Sequence, residues 1–238
     1  MAEAYIVDAL RTPTGRRKGG LSELHPADLG GHVLKELVNR NDIPGDDYED
    51  VIFGSVDTIG PLAGDIARTC WLAAGLPLHV PGVTIDRQCG SSQQSVHFAA
   101  QAVLSGTADV VVAGGVQTMT QIPISAAMLA GQAYGFGDPF TGSTGWVERF
   151  GDGLVTQFNS AEMIAEKWGL SRQDLERYAF TSNTRAFRAI DEGRFDREIT
   201  PIAGVQMDET PRRGTTLEAM AELNPIQEGG SITAAVSS

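Results

Sequence analysis

The chain has 238 residues, with 18 Lys and Arg against 30 Asp and Glu, a formal net charge of −12, and 42% hydrophobic residues. That apolar share supports a sizeable core and excludes intrinsic disorder as the overall class. The acidic balance argues against nucleic acid or an anionic membrane as a general partner. At about 150 residues per domain, the length fits one large domain or two modest ones. Two cysteines are too few for a disulfide framework and fit a reducing, cytoplasmic compartment. No apolar run approaches the roughly 20 residues needed to span a bilayer. Arg16-Arg17 is followed by no apolar stretch, so it is not a twin-arginine signal. The 28 Gly and 11 Pro imply many tight turns.

In chain order, continuous β-branched runs predict strands at Tyr5–Val7, Val51–Phe53, Val83–Ile85 and Val110–Val112, each covered on both faces. Helical spacing predicts helices between them. Pro26 to Asn39 carries Leu29, Val33, Leu34, Leu37 and Val38 on one face. Asp65 to Ala74 is closed by Gly75 and Pro77. Ser91 to Leu104 presents Val96, Ala99, Ala100, Val103 and Leu104 together, with Gly106 beyond its end. This alternation predicts an α/β layered core with a mainly parallel sheet. From Gln121 to Gly153 the pattern becomes aperiodic and rich in Gly, Ser, Thr and Pro, marking an excursion from that core. Helices at Ser160–Trp168 and Ser171–Ile190 follow, then a short strand at Ile199–Val205 and a helix at Thr216–Leu223. Gly229-Gly230 leads into Ser231–Val236, which reads as a strand returning to the core.

The sharpest chemical feature is Asp86-Arg87-Gln88-Cys89-Gly90-Ser91-Ser92, where a strand is expected to end and a helix to begin. A cysteine in such a turn lies near unpaired N–H groups and the positive end of the helix dipole, which favour thiolate over thiol. The small residues after it leave room for a carbonyl, and turn N–H groups can hold an oxyanion. Cys70, inside a predicted helix, reads instead as core filling. A nucleophilic cysteine needs a base, usually His. The chain offers His25, His32, His79 and His97, none in a motif that recommends it. His97 lies eight residues along the helix from Cys89, about 12 Å of rise, too far to touch the sulfur.

These residues carry a family resemblance that runs along essentially the whole chain. Val7-Asp8-Ala9-Leu10-Arg11-Thr12-Pro13-Thr14-Gly15 with Gly19-Gly20-Leu21 is similar to the first strand and loop of thiolases. Asp86 through Ser92 resembles their acyl-cysteine motif, and Ala113-Gly114-Gly115 with Met119 the strand end that follows. Ser160-Ala161-Glu162 and Gly169-Leu170-Ser171-Arg172 resemble their inserted loop domain. The chain is therefore identified as the N-terminal part of a thiolase, an acetyl-CoA C-acyltransferase. The implied fold is a layered αβα core half with an inserted α-rich loop domain. Its implied organisation is a core at 1–119, a CoA-binding loop domain at 120–230 and the start of a returning strand at 231–238. A C-terminal domain would lie outside this chain.

The resemblance implies that Cys89 takes the acyl group of a 3-ketoacyl-CoA, releases acetyl-CoA and passes the acyl group to a second CoA. The reverse direction is a Claisen condensation. CoA is a co-substrate, and neither a tightly bound cofactor nor a metal is implied. The family's base, in a Gly-His-Pro motif, and its second cysteine, in Cys-x-Gly, have no counterpart in these residues. The implied CoA contacts are Arg212 near the adenosine phosphate, Leu223 against adenine and pantetheine, and Ala234 and Ser238 along pantetheine. A guanidinium suits the phosphate because it binds bidentately and stacks on adenine. Arg16-Arg17-Lys18 reads as a surface loop. Departures from the family pattern are Ala219 for Ser, Thr156-Gln157 for His-Met, Gln117 for an acidic residue and Asp86 for Asn. The expected partners are acyl-CoA and CoA, with a homodimer, a homotetramer or a complementing C-terminal half. Two other readings stand beside this one: a non-catalytic half-thiolase module, and a condensing enzyme of the ketoacyl-synthase type. The long insert suits free CoA and favours thiolase over the latter.

Overall fold

A computed structural model of the chain describes residues 3–140, 142–153 and 155–237. The chain divides into two compact units, one of residues 1–138 with 197–209, the other of 139–196 with 210–238.

The first unit is α/β. Its strands β1 (Asp50–Gly54), β2 (Gly82–Ile85) and β3 (Val111–Gly115) form a parallel sheet in the order β2-β1-β3. Val51 pairs with Gly82 on one side and with Val112 on the other. The central strand is the most apolar and is buried from Val51 to Gly54, as expected for a parallel strand covered on both faces. Helices α1 (Pro26–Arg40) and α2 (Ile66–Ala73) pack together. Leu34, Ile66, Cys70 and Trp71 between them are almost wholly enclosed. The Trp71 indole N–H donates to the Pro77 carbonyl at 2.8 Å, so the ring's polar edge is satisfied within the core. The Cys70 thiol faces the Pro26 carbonyl at 3.6 Å, and burial pushes its pKa up from 9.0 to about 12.

Pro26 starts α1 because its missing N–H costs nothing there. The His25 ring caps the helix by accepting from the Ala27 N–H at 3.2 Å. Asp65 caps α2 through the Arg68 N–H. Helix α3 (Ser91–Ser105) crosses the sheet. Its buried face differs from the expected one: it is Ser91, Gln94 and Ser95. The apolar stripe of Val96, Ala99, Ala100 and Val103 instead lines a cleft of about 800 Å3.

That cleft explains a second departure. Tyr5–Val7, expected as a strand, forms no ladder, and Tyr5, Ile6 and Val7 stay 71–79% exposed. They line the same cleft as Val110 to Gln117, the stretch that contains the open-edged strand β3. An extended segment becomes a strand only beside a partner within hydrogen-bond reach, and Tyr5–Val7 has none among the described residues. Ile199–Val205 likewise makes only isolated bridges, Arg11 with Ile199 and Ile202 with Val205. This return segment is fastened by charge. Arg11 pairs with Asp208 at 2.6 Å and with Glu198 at 2.7 Å. Burial acts to raise the pKa of Asp208, but the Arg11 guanidinium and the Thr14 N–H outweigh it and hold that carboxylate below its usual range. The aperiodic stretch after β3 contains one unexpected short helix in this unit, α4 (Ala126–Ala130). The buried Asp57 carboxylate anchors it by accepting from the Ser125 and Ala127 N–H groups.

The second unit is helical, with α5 (Thr144–Phe150), α6 (Gln157–Trp168), α7 (Arg172–Asp191) and α8 (Leu217–Ala221). Helix α5 also lies in the stretch expected to be irregular. The Ser171 and Asp174 pair forms a reciprocal capping box at the start of α7. Arg172 pairs with Glu176 at 2.6 Å and donates to the Met220 and Leu223 carbonyls, tying α7 to α8. Ser231–Val236 is not a strand: Thr233 makes one antiparallel bridge to Pro225. The segment is held by Glu162, which accepts from the Ser231 and Ile232 N–H groups, each at 2.8 Å. No helix among the described residues is long and apolar enough to cross a membrane.

Candidate active site

Cys89 sits where the sequence pattern puts it, in the turn between β2 and α3, and it is exposed. Gly90 is the N-cap of α3 and supplies no side-chain cap. The turn is closed by its own groups. The Gly90 N–H donates to the Arg87 carbonyl at 3.1 Å and the Ser91 N–H to the Gln88 carbonyl at 3.0 Å. The buried Ser91 hydroxyl accepts from the Arg87 N–H at 2.9 Å and donates to the Gln88 carbonyl at 2.6 Å. Ser95, also buried, donates to the Ser91 carbonyl at 3.1 Å.

Two glycines let the sheet press against this turn. A Cβ on Gly54 would overlap the Ser91 carbonyl carbon and the Ser92 nitrogen, and one on Gly115 would overlap Ser92 Oγ. Only glycine allows that approach. The carboxyl ends of β1 and β3 thereby fix the first turn of α3, and with it the residue just before. Carboxyl ends of parallel strands are where α/β proteins gather their chemistry. Gly115 belongs to the motif singled out in the sequence; Gly54 was missed. Its signal was a glycine closing the apolar run Val51–Phe53. Gln117 was noted only as a departure. Its Oε1 joins the strand ends by accepting from the Ser55 hydroxyl and the Val56 N–H, both at 3.1 Å.

A cavity of about 420 Å3 lies on the side of the turn nearer β2, lined by Leu62, Asp65, Val83, Thr84, Ile85 and Asp86. Asp65 Oδ1 braces its wall by accepting from the Thr84 hydroxyl at 2.8 Å. Cys89 lines neither this cavity nor the larger cleft. The histidines are engaged elsewhere or distant along the helix. His25 caps α1, His32 meets the Thr200 hydroxyl at 2.9 Å, and His79 meets the Asp46 carbonyl at 3.1 Å. His97 is exposed two turns along α3.

The candidate CoA contacts fall in the second unit. Arg212 is exposed and makes no ion pair among the described residues, while its N–H donates to Asn183 Oδ1 at 2.9 Å. Its neighbour Arg213 is committed, paired with Asp191 at 2.6 Å and stacked 4.2 Å over the Phe187 ring. Of these two guanidiniums, Arg212 is the one left for an anion. Leu223 is half-buried, its carbonyl held by Arg172 at 2.6 Å. Ala234 is exposed beside the buried Thr233. Ser238 lies outside the described residues. Of the departures, Thr156 caps α6 through the Asn159 N–H at 3.1 Å, and the Ala219 N–H donates to the Thr216 hydroxyl at 3.2 Å.

The thiolase N-terminal domain family matches residues 4–238. A steroid 3-ketoacyl-CoA thiolase, FadA6, of Mycobacterium tuberculosis is 54% identical over 242 aligned positions, covering 100% of this chain and 59% of its own. A β-ketoadipyl-CoA thiolase of Acinetobacter baylyi is 37% identical, covering 98% and 62%. An acetyl-CoA acetyltransferase of Pseudomonas aeruginosa is 36% identical, again covering 98% and 62%. The chain thus spans about three-fifths of the length of the curated relatives it matches. With its parallel α/β sheet and a cysteine at the head of α3, this chain belongs to the thiolase family, and what it matches is that family's N-terminal domain.

Proposed function

We propose that this chain is the acyl-accepting part of a thiolase that transfers acyl groups between 3-ketoacyl-CoA and CoA. The observation that carries the reading is Cys89, exposed at the amino end of a fifteen-residue helix and pinned there by two strand ends. Its thiolate attacks the keto carbon of the substrate, and the bond between that carbon and the acetyl unit breaks. The electron pair leaves on acetyl-CoA, which takes up a proton. The thiol of a second CoA then attacks the Cys89 thioester, so the shortened acyl-CoA departs and the cysteine is restored. Run backwards, the steps form a carbon–carbon bond. The Cys89 backbone N–H would be one donor to the oxyanion at each tetrahedral stage.

CoA is the co-substrate, with its phosphates on Arg212 and its adenine and pantetheine along Leu223, Ala234 and Ser238. The proposed organisation is a core at 1–119, a loop domain at 120–230 and a returning segment at 231–238, in a cytoplasmic enzyme. A further domain, in the same polypeptide or a complementing one, supplies the Gly-His-Pro base and the Cys-x-Gly cysteine. The open edge of β3 and its apolar cleft support such a partner, since edges and apolar faces of this size are normally covered. The same surfaces also suit a homodimer, a homotetramer or a non-catalytic half-thiolase module. A stable, monodisperse monomer in light scattering would count against the module. Transfer to an acyl carrier protein in preference to CoA would point instead to a ketoacyl-synthase-like enzyme. The 54%-identical relative is a steroid 3-ketoacyl-CoA thiolase, so a steroid-derived 3-ketoacyl-CoA is the first substrate class to try.

The test is peptide mass spectrometry after incubation with acetyl-CoA, using the chain alone and with a polypeptide carrying the two missing motifs. The expected product is a thioester on Cys89 and none on Cys70. Acylation of Cys70 instead, or no acylation with both polypeptides present, overturns the proposal.

A further inference from the structure

The residue just before the cysteine adopts a backbone that side-chain-bearing residues avoid. Gln88 has φ +49°, in the left-handed region, although it is not glycine. One carboxylate compensates. Asp86 Oδ1 accepts from the Gln88 N–H at 2.7 Å, and the Gln88 side-chain amide reaches back to Asp86 Oδ1 and Oδ2 at 3.3 and 3.4 Å. Both the backbone and the side chain of Gln88 are therefore fastened to Asp86, while the Ser91 hydroxyl holds the Gln88 carbonyl from the other side. Asp86 directly follows β2 and also lines the cavity of about 420 Å3, so it links the rigid strand to the turn.

We infer that Asp86 is a positioning residue for Cys89: its carboxylate clamps Gln88 in the left-handed conformation that brings Cys89 to the amino end of α3. This inference rests on the reading of Cys89 as the acyl-accepting nucleophile. The clamp acts through acceptor geometry and not through charge. A negative charge beside a thiolate would by itself disfavour it, so a charge role and a positioning role predict opposite effects.

The experiment compares the wild-type chain with Asp86→Asn, Asp86→Ala and the double variant Asp86→Ala with Gln88→Gly. Iodoacetamide alkylation of Cys89 is followed at neutral pH by mass spectrometry, and exchange of the Gln88 amide by NMR. Asparagine keeps an acceptor oxygen, so it is expected to retain the wild-type rate and protection. Alanine removes the acceptor and is expected to slow alkylation about threefold to fivefold, the scale of a lost helix-terminus interaction, and to unprotect the Gln88 amide. Glycine at position 88 adopts positive φ without strain and is expected to restore the rate in the alanine background. Faster alkylation in both the asparagine and alanine variants would overturn the clamp in favour of a charge effect. Unchanged rate and unchanged exchange in the alanine variant would overturn it outright. If wild-type Cys89 reacts no faster than free cysteine, the nucleophile reading fails, while Gln88 exchange still decides whether Asp86 clamps the turn.

Discussion

Cys70 and Cys89 lie nineteen residues apart in one compact unit, yet the fold treats the two thiols in opposite ways. Cys70 sits within α2 against the Pro26 carbonyl, wholly buried, where desolvation keeps it protonated. Cys89 precedes α3 rather than lying inside it, in a turn exposed to solvent but fixed by the carboxyl ends of β1 and β3. The difference lies not in the side chain but in its place relative to a helix terminus. An interior helical position aims the side chain into a packed neighbour. The position before a helix places it at the positive end of the helix dipole.

The contrast can be broken most forcefully at the Cys70 end. Trp71→Ala empties the largest wholly buried side chain beside Cys70 and is expected to cost about 3–5 kcal/mol in urea unfolding. Cys70 should become more accessible to thiol reagents in that variant, with little change at Cys89. A parallel rise at both sites would mean that they share one environment.

Gly54→Ala acts at the other end. The added methyl overlaps the first turn of α3, an overpacking expected to cost about 1–3 kcal/mol. Cys89 labelling should slow while Cys70 stays inaccessible. Unaltered Cys89 labelling would show that the strand ends do not fix the turn.

The smallest effect sharpens the electrostatic side. The Cys70 pKa is raised from 9.0 to about 12 in the folded chain, so above pH 9 the unfolded chain loses this proton first. Its contribution to stability is therefore full below pH 9 and is lost as pH rises toward 12. Wild type should lose about 1 kcal/mol more than Cys70→Ala between pH 8 and pH 10. Equal losses would mean that the buried thiol titrates freely.

Much of the first unit was legible in the chain. The runs around Val51, Val83 and Val110 became the three strands, and α1, α2 and α3 formed within a residue or two of their expected spans. Those elements depend on local pattern: apolar continuity, a proline or cap at the start, glycine near the end. Tyr5–Val7 and Ser231–Val236 misled because strand character is only completed by a neighbour, and neither segment has a ladder partner here. Helix α3 misled in another way. Its apolar stripe suggests the buried face, whereas Gly54 and Gly115 press against Ser91 and Ser92 and the helix buries Ser91, Gln94 and Ser95. The short helices α4 and α5 left little periodic signal because α4 spans five residues and α5 seven. Of the site, Cys89 was readable from its turn. The Asp86–Gln88 clamp was not, because positive φ at a glutamine has no signature in composition or spacing.

The fold leaves one cysteine exposed before a helix and buries the other. The most direct measurement is competitive alkylation of the native chain with a limiting amount of iodoacetamide at neutral pH, with both cysteine peptides quantified in the same digest. A buried thiol is protected by the free energy of opening as well as by its protonation. Cys89 is therefore expected to be modified on the order of a hundredfold faster than Cys70. Comparable rates, or faster modification of Cys70, would contradict it.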